Sequence, residues 1–258
     1  MIGLNYPIVI SNLNFSYDNE NILNDVTLNF EKGKLYSILG PNGSGKTTLI
    51  KNISGILSAK SSCVYINGTD IIKFKSKELA RRVTVVPQNS NIEYEFTVYD
   101  VVMMGRTPYK HRFEDYNSQD EAIVKEAMEM TNTWILKDKL ITELSGGEVQ
   151  RVTAARALTQ QTDIILLDEP TAHLDLQYQL EFLNIFREIK QHKLIIAVLH
   201  DLNLASYFSD HMIFVKKGHI IEQGCPEQIM KKKLIKKIYN IDVEIIKSPV
   251  SGAPFIIY

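Results

Sequence analysis

Cysteine is scarce in this chain. Cys63 and Cys225 are the two present; they lie far apart, with no Cys-x-x-Cys spacing and no nearby histidine cluster, so neither a disulfide framework nor a zinc site is expected. An excess of charge of one sign is also missing. Lys+Arg 29 against Asp+Glu 30 gives a formal charge of −1, so no global positive field gathers nucleic acid or anionic lipid from a distance, and any phosphate site has to be local. Long apolar runs are absent too. The apolar runs, Ile164 to Leu167 and Leu194 to Leu199 among them, fall far short of the roughly 20 apolar residues of a membrane-spanning helix. The opening residues, Met1 to Pro7, carry neither the basic region nor the apolar region of a secretory signal, which makes the cytosol the expected address. Internal repeats and low-complexity linkers are not found. What remains is an ordinary globular composition: 45% apolar and 23% charged over 258 residues excludes disorder and fibrous folds and allows one large domain or two small ones.

The organisation is read from changes in hydrophobic period. From Ile8 to Leu39 short apolar runs, punctuated by Asp18 to Asn21 and by Lys32-Gly33-Lys34, predict strands joined by tight turns. Leu49 to Ile53 reads as a short helix and Cys63 to Ile66 as a strand closed by Asn67-Gly68. Thr97 to about Ala157 reads as mostly helical, with Ser118-x-x-Glu121 in the form of a capping box and Ile123, Ala127 and Met130 at helical spacing behind it. Strand character returns at Ile164 to Asp168 and Leu194 to His200, separated by a helix with Phe182, Ile185, Phe186 and Ile189 on one face. Ile213 to Gly224 predicts a hairpin turning at Lys217-Gly218, followed by a helical segment from Pro226 to Tyr239. Apolar runs alternating with amphipathic helices imply a largely parallel, covered sheet.

Gly40-Pro41-Asn42-Gly43-Ser44-Gly45-Lys46-Thr47, followed by Thr48, has the spacing Gly-x-x-x-x-Gly-Lys-Thr between an apolar strand and a helix, the context that a phosphate-binding loop requires. Its glycines let the backbone wrap around phosphate oxygens with N–H groups pointing inward, and the following helix adds a partial positive charge at its N-terminus. Lys46 is expected to bridge β- and γ-phosphate oxygens, and the Thr47 hydroxyl to coordinate Mg²⁺. Ile164 to Glu169 is an aliphatic strand that delivers two carboxylates at its C-terminal end, the edge at which open α/β sheets bind ligands. Asp168 suits a contact to Mg²⁺ and Glu169 suits polarisation of an attacking water as general base.

Leu144-Ser145-Gly146-Gly147-Glu148-Val149-Gln150 needs a different explanation, since one phosphate loop is already present. With the cradle, this segment and Asp168-Glu169 in order, the chain resembles the nucleotide-binding subunits of ATP-binding cassette (ABC) transporters. The resemblance runs from about Ile8 to Gly224. It implies an α/β P-loop NTPase fold with a mostly parallel core sheet, an antiparallel β subdomain and a helical signature subdomain. Residues 1–258 are read as a single ABC ATP-binding domain, with a helical insert at about 90–160 and a C-terminal hairpin and helical tail at about 211–258.

The family pattern implies further roles. Ser145, Gly146, Gly147 and Glu148 would face the γ-phosphate held by a second copy. Tyr17 matches the aromatic that stacks on adenine; taken alone it reads as a half-buried strand tyrosine. Gln88, after Val83 to Pro87, matches the glutamine whose loop joins the Mg²⁺ and water site to the membrane partner. Thr171 to Asp175 matches the segment that crosses the dimer interface, and His200 the histidine that holds the γ-phosphate. Ala172 stands where many relatives carry serine and His173 where many carry alanine, which removes a hydroxyl from that interface segment; His173 also reads as a partly exposed helix-entry residue.

One cassette, without fused membrane spans or long coiled-coil insertions, is the usual form of an importer's ATPase subunit. Val101 to Tyr109, containing Gly105-Arg106-Thr107-Pro108-Tyr109, resembles a stretch found in importers of ferric siderophores, haem and cobalamin; on physical grounds alone it is a helix end broken by Gly and Pro. Lys231 to Lys233, with Lys236 and Lys237, reads as a solvated helix face in preference to an acidic-lipid contact. The resemblance thus implies ATP and Mg²⁺ as ligands, a head-to-tail homodimer, an integral membrane permease as partner and indirectly a substrate-binding protein, no nucleic acid, and a peripheral position on the cytoplasmic face of the membrane. The alternative is a soluble single-cassette ATPase of the iron–sulfur assembly type or one acting on nucleic acid.

Overall fold

A computed structural model describes residues 6–18, 20–57, 62–88, 95–172 and 174–257. The chain divides into two compact units, residues 1–73 with 190–258, and residues 74–189.

In the first unit, β1 (Ile8–Tyr17) and β2 (Glu20–Phe30) pair antiparallel with Ile8 opposite Phe30. Burial alternates along β2, the period-2 signature of a strand with one face in the core. β3 (Leu35–Leu39) is buried at every position, and α1 (Lys46–Ile53) follows it through the glycine-rich turn. β4 (Val64–Ile66) and β5 (Thr69–Asp70) complete an antiparallel sheet in the order β2-β1-β4-β5.

The second unit opens with α2 (Ser76–Ala80) and β6 (Val83–Val86). Three helices follow: α3 (Val98–Met103), α4 (Ser118–Met130) and α5 (Gly146–Thr159). Val98, Val101, Val102, Val124, Met128 and Val152 close their shared core, with Trp134 packed against it. β7 (Ile164–Asp168) pairs parallel with β6, Val83 opposite Ile164, and α6 (Leu176–Ile189) comes after it.

The chain then returns to the first unit with β8 (Leu194–Val198), α7 (Leu202–Phe208), β9 (His211–Lys216) and β10 (His219–Gly224). β3 lies parallel to both β8 and β9. Strands buried on both faces read as unbroken apolar runs, which is why Leu35 to Leu39 and Leu194 to Val198 show no alternation. β9 and β10 form the expected hairpin, with Lys217 at φ 50° and Gly218 at φ 78° as its two turn residues. α8 (Pro226–Ile229), α9 (Lys232–Tyr239), β11 (Glu244–Lys247) and β12 (Pro254–Ile257) end the described chain.

Four sequence expectations need correction. The box on α4 is one residue earlier than Ser118-x-x-Glu121: Asn117 caps the helix, its Oδ1 accepting from the Asp120 N–H at 3.0 Å while Asp120 Oδ2 accepts from the Asn117 N–H at 3.1 Å. Asp120 is also held by two buried cations, and that fixes the register. The buried stripe of α4 is accordingly Val124, Ala127 and Met128, with Met130 exposed. On α6 the buried residues are Phe182, Leu183 and Phe186, with Ile185 and Ile189 at the margin. The helical segment from Pro226 to Tyr239 is broken at Met230 and Lys231, and the tail beyond it is a β-hairpin. Asn203 makes that hairpin possible, its Nδ2 donating to Ile256 O and its Oδ1 accepting from Ile256 N–H, while the Ser206 hydroxyl donates to Pro254 O. These side chains of α7 substitute for a missing neighbouring strand.

Candidate functional site

The cradle is built between β3 and α1 in the first unit. Gly40 has φ 151°, and a Cβ there would lie 2.0 Å from the Val215 carbonyl oxygen. Gly45, at φ 101°, caps α1 in the left-handed region; L side chains are excluded from both positions by strain or contact. Lys46 is buried and its Nζ donates to the carbonyl oxygens of Gly40 and Pro41 at 3.0 Å each, which folds the loop around the ammonium. Ser44 Oγ is buried in this loop without a hydrogen-bond partner among the described residues. An orphaned hydroxyl beside a helix N-terminus and a buried cation fits an anionic oxygen ligand such as a phosphate. Thr47 and Thr48 continue into the first turn of α1, with Thr48 buried.

Two more candidate residues lie in the first unit. Tyr17 ends β1 with 43% of its surface exposed, its ring packed edge-on against Phe15 at 5.1 Å, which is the half-buried strand tyrosine of the residue-level reading. His200 is exposed, two residues past the end of β8. The next residue, Asp201, caps α7 by accepting from the N–H groups of Asn203 and Leu204 at 2.7 and 2.9 Å.

In the second unit, Asp168 is buried at the end of β7 and Glu169 follows at φ 50°. A left-handed glutamate costs roughly 1–2 kcal/mol of local strain, a kind of outlier that clusters at functional sites. The Gln88 amide donates from Nε2 to Glu169 Oε2 at 2.8 Å. The segment after Pro170 is tied down by a residue the sequence reading passed over: Gln179 Nε2 donates to the carbonyl oxygens of Thr171 and Leu174 at 3.1 and 2.9 Å. His173 lies outside the described residues. Gln88 and Asp168 in this unit carry amide and carboxylate oxygen, and Thr47 in the first unit carries a hydroxyl, each by its chemistry a hard oxygen donor of the kind that suits Mg²⁺.

Ser145 caps α5 in a capping box: its hydroxyl donates to Glu148 Oε2 at 2.7 Å and its N–H to the same oxygen at 2.8 Å. These bonds hold the Glu148 carboxyl below its ordinary range. A Cβ at Gly146 would meet no atom within 4 Å, whereas one at Gly147 would lie 3.3 Å from the Tyr178 ring. Gly146 therefore faces open space at an exposed helix start, and nothing inside the fold calls for glycine there.

The Gly105 to Tyr109 segment is a 3-10 turn laid against the C-terminal end of α5. A Cβ at Gly105 would lie 2.4 Å from the Arg156 carbonyl oxygen. Arg106 is buried; its Nε donates to Asp120 Oδ1 at 2.9 Å and its Nη1 to Thr159 O at 3.0 Å, while Tyr109 Oη donates to Gln160 O at 2.9 Å. Lys110 reaches Asp120 Oδ2 at 2.5 Å. Burial alone would raise the Asp120 carboxyl, but the hydrogen bonds from Lys110, Arg106 and the Asn117 amide hold it down at about 2. The segment is thus more than a broken helix end: the Arg106 guanidinium satisfies the Thr159 carbonyl and the Tyr109 hydroxyl the Gln160 carbonyl, and the guanidinium meets the negative end of the α5 dipole.

The sequence model of the ABC transporter family matches residues 23–172, more than half of the chain. The chain belongs to that family. This cassette is 38% identical over 247 residues to the achromobactin transport ATP-binding protein CbrD of Dickeya dadantii (strain 3937), covering 95% of this chain and 92% of that protein. It is 38% identical over 244 residues to the iron(3+)-hydroxamate import ATP-binding protein FhuC of Bacillus subtilis (strain 168), covering 94% and 91%. A solved chain from a metal-chelate type ABC transporter in an inward-facing conformation superposes with a TM-score of 0.84 over 98% of this cassette and 97% of that chain; at 24% identity the likeness speaks for the fold alone. ABC transporter ATP-binding proteins use ATP with Mg²⁺ and hydrolyse the nucleotide to power transport. Import subunits of the family work as dimers with membrane permease components and associate with the membrane from the cytoplasmic side. No helix among the described residues of this cassette is long and apolar enough to cross a membrane.

Proposed function

We propose that this cassette is the ATP-hydrolysing subunit of an importer for a metal chelate, a ferric siderophore, haem or cobalamin, and that it acts as a head-to-tail dimer on the cytoplasmic side of a membrane permease served by a substrate-binding protein. Residues 1–258 act as one ATP-binding domain in this reading. The observation that carries it is the bond from Gln88 to Glu169, because it puts the candidate general base in contact with the residue assigned to transmission toward the permease.

Lys46 and the loop amides hold the β- and γ-phosphates of the substrate ATP, and Tyr17 offers its ring to the base. Mg²⁺, when bound, neutralises phosphate charge. Thr47, Asp168 and Gln88 supply oxygen atoms for it. Glu169 takes the proton of the attacking water while Gln88 orients the carboxylate, and His200 donates to the γ-phosphate. The exposed turn Ser145 to Glu148, with its unobstructed Gly146, seals the nucleotide of the second copy through the N-terminus of α5. The closed dimer is favoured only while a γ-phosphate bridges the two faces, so hydrolysis shifts the population toward the open state. The helices of the second unit and the Gln88 segment carry that change to a cytoplasmic segment of the permease.

The test is to reconstitute the chain with its co-purifying membrane subunit and to screen ferric siderophores, haem and cobalamin for stimulated ATPase. Stimulation by one of them is the expected result. Isolation in a stable soluble complex without any membrane subunit would favour the soluble assembly ATPase instead.

A further inference from the structure

Within the second unit, one aromatic side chain of α6 is packed on the turn that opens α5. Tyr178 stands in the first turn of α6, and a Cβ at Gly147 would lie 3.3, 3.4 and 3.5 Å from its Cγ, Cδ2 and Cδ1. With glycine there the ring rests on bare helix backbone, an approach that a side chain at 147 would crowd. One turn further along the same stripe of α5, the Arg151 guanidinium carbon lies 5.6 Å from the centre of the Tyr178 ring, within reach of a cation–π contact. Glu181 pairs with Arg151 Nη1 at 3.8 Å and accepts from Gln177 Nε2 at 2.9 Å. Arg151 Nε is buried and has no hydrogen-bond partner among the described residues, so the flat ring and the carboxylate, not a bond to Nε, hold the guanidinium. Tyr178 itself stands on a fixed base, because its neighbour Gln179 bonds the carbonyl oxygens of Thr171 and Leu174.

We propose that Tyr178 is a positioning residue for the turn Ser145 to Glu148: with Arg151 it fixes the direction in which the N-terminus of α5 meets the nucleotide of the second copy. The proposal rests on the head-to-tail reading above and names the residue that orients its sealing turn. Tyr178 acts through α5 and is assigned no contact to nucleotide. The capping box of Ser145 and Glu148 fixes the turn internally, while the side that faces α6 is fixed at Gly147 and Arg151. The two are joined electrostatically, since the Glu148 carboxyl is held low first by the hydrogen bonds from Ser145 and further by the charges of Lys139 and Arg151. Removing the ring leaves the first turn of α5 bare on one side and free to fray. Frayed N–H groups no longer converge on an anion, so the loss falls on the sealing of the partner's ATP and spares the cradle of the same chain.

The experiment adds Tyr178→Ala or Tyr178→Phe to the Glu169→Gln chain, so that nucleotide is not consumed; Tyr178→Leu, which fills the space without a flat face, takes the place of Tyr178→Ala should that variant not fold. Two quantities are read: the affinity of dilute, monomeric protein for a fluorescent ATP analogue, and the protein concentration at which scattering shows half dimerisation in saturating Mg²⁺ and ATP. Tyr178→Ala should keep the monomer affinity and need about tenfold more protein to dimerise, the scale of one desolvated cation–π contact. Tyr178→Phe keeps the ring and should match the parent. Mixed dimers then locate the effect. With Lys46→Ala in one copy, the bound ATP is held by the other, and Tyr178→Ala should weaken pairing when placed in the Lys46→Ala copy, whose α5 faces that ATP, and not when placed in the copy that holds it. Equal dimerisation of all variants would overturn the proposal while leaving the head-to-tail reading intact. So would a parallel fall in monomer affinity, a defect in Tyr178→Phe as large as in Tyr178→Ala, or an effect that is the same in either copy of the mixed dimer. A Glu169→Gln chain that stays monomeric in ATP with Tyr178 intact would overturn the head-to-tail reading itself.

Discussion

The Gln88 side-chain amide donates to Oε2 of Glu169 at 2.8 Å, across 81 residues of sequence. Glu169 is held at φ 50° by the turn that follows β7, so the carboxylate leaves the alternation of the strand and meets a group from the end of the neighbouring strand. β6 and β7 run parallel and in register from Val83 opposite Ile164 to Val86 opposite Leu167. The two residues that follow those ends are brought together by the pairing itself, and the last step is left to one hydrogen bond.

Lys46→Ala removes the ammonium that the carbonyl oxygens of Gly40 and Pro41 now surround. Nucleotide affinity should fall by about a hundredfold, within the range for losing one member of a desolvated charge pair. Titration with a fluorescent ATP analogue reads this directly, and undiminished affinity would refute the cradle.

Gly146→Ala separates folding from assembly. The added methyl meets no atom within 4 Å, so the melting temperature should hold or rise slightly, as for replacement of glycine where its freedom is not used. ATP-dependent dimerisation should drop tenfold or more, because the methyl would stand where a partner's phosphate must approach. A variant that dimerises normally with ATP would remove Gly146 from the interface. Gly147→Ala should instead lower the melting temperature, since its methyl presses on the Tyr178 ring at 3.3 Å.

Asp120 supplies a pH dependence. Its carboxyl titrates at about 2 in the folded chain against an ordinary value of 3.8, so on acidification the unfolded chain takes up the proton first. The stabilisation is therefore fully present above the unfolded value and is lost as pH falls from about 4 through about 2. Asp120→Asn should cost about 3 kcal/mol at neutral pH by leaving Arg106 and Lys110 without their buried anion. In urea titrations the gap between wild type and variant should narrow from pH 5 to pH 2; a gap independent of pH would show that the carboxylate charge is not what holds the cluster.

Local features were legible in the sequence and long-range ones were not. The cradle is contiguous, so its glycines, Lys46 and the helix start could be read from spacing alone. Lys217-Gly218 likewise announces its hairpin, because the turn type demands those residues. The α4 box was misplaced by one residue because Asn117 and Ser118 are both good caps, and the choice between them is made by Arg106 and Lys110, partners of Asp120 that lie 14 and 10 residues upstream. The tail hairpin was missed because its edge is satisfied by Asn203, about fifty residues away. The grip of Arg106 and Tyr109 on the end of α5 is equally non-local, so the sequence suggested only a helix broken by Gly and Pro. Gln179 leaves no mark in periodicity, since its work is to bond backbone carbonyls of the preceding loop.

The most direct test of the whole account is scattering on Glu169→Gln with Mg²⁺ and ATP. A glutamine at that position still offers an amide oxygen to Gln88, so the local geometry is retained while the base is lost. The variant should bind ATP as the wild type does, turn over at least about a hundredfold more slowly, and accumulate as a dimer that reverts to monomer when nucleotide is removed. A variant that stays monomeric with ATP bound, or hydrolyses at the wild-type rate, would contradict the account.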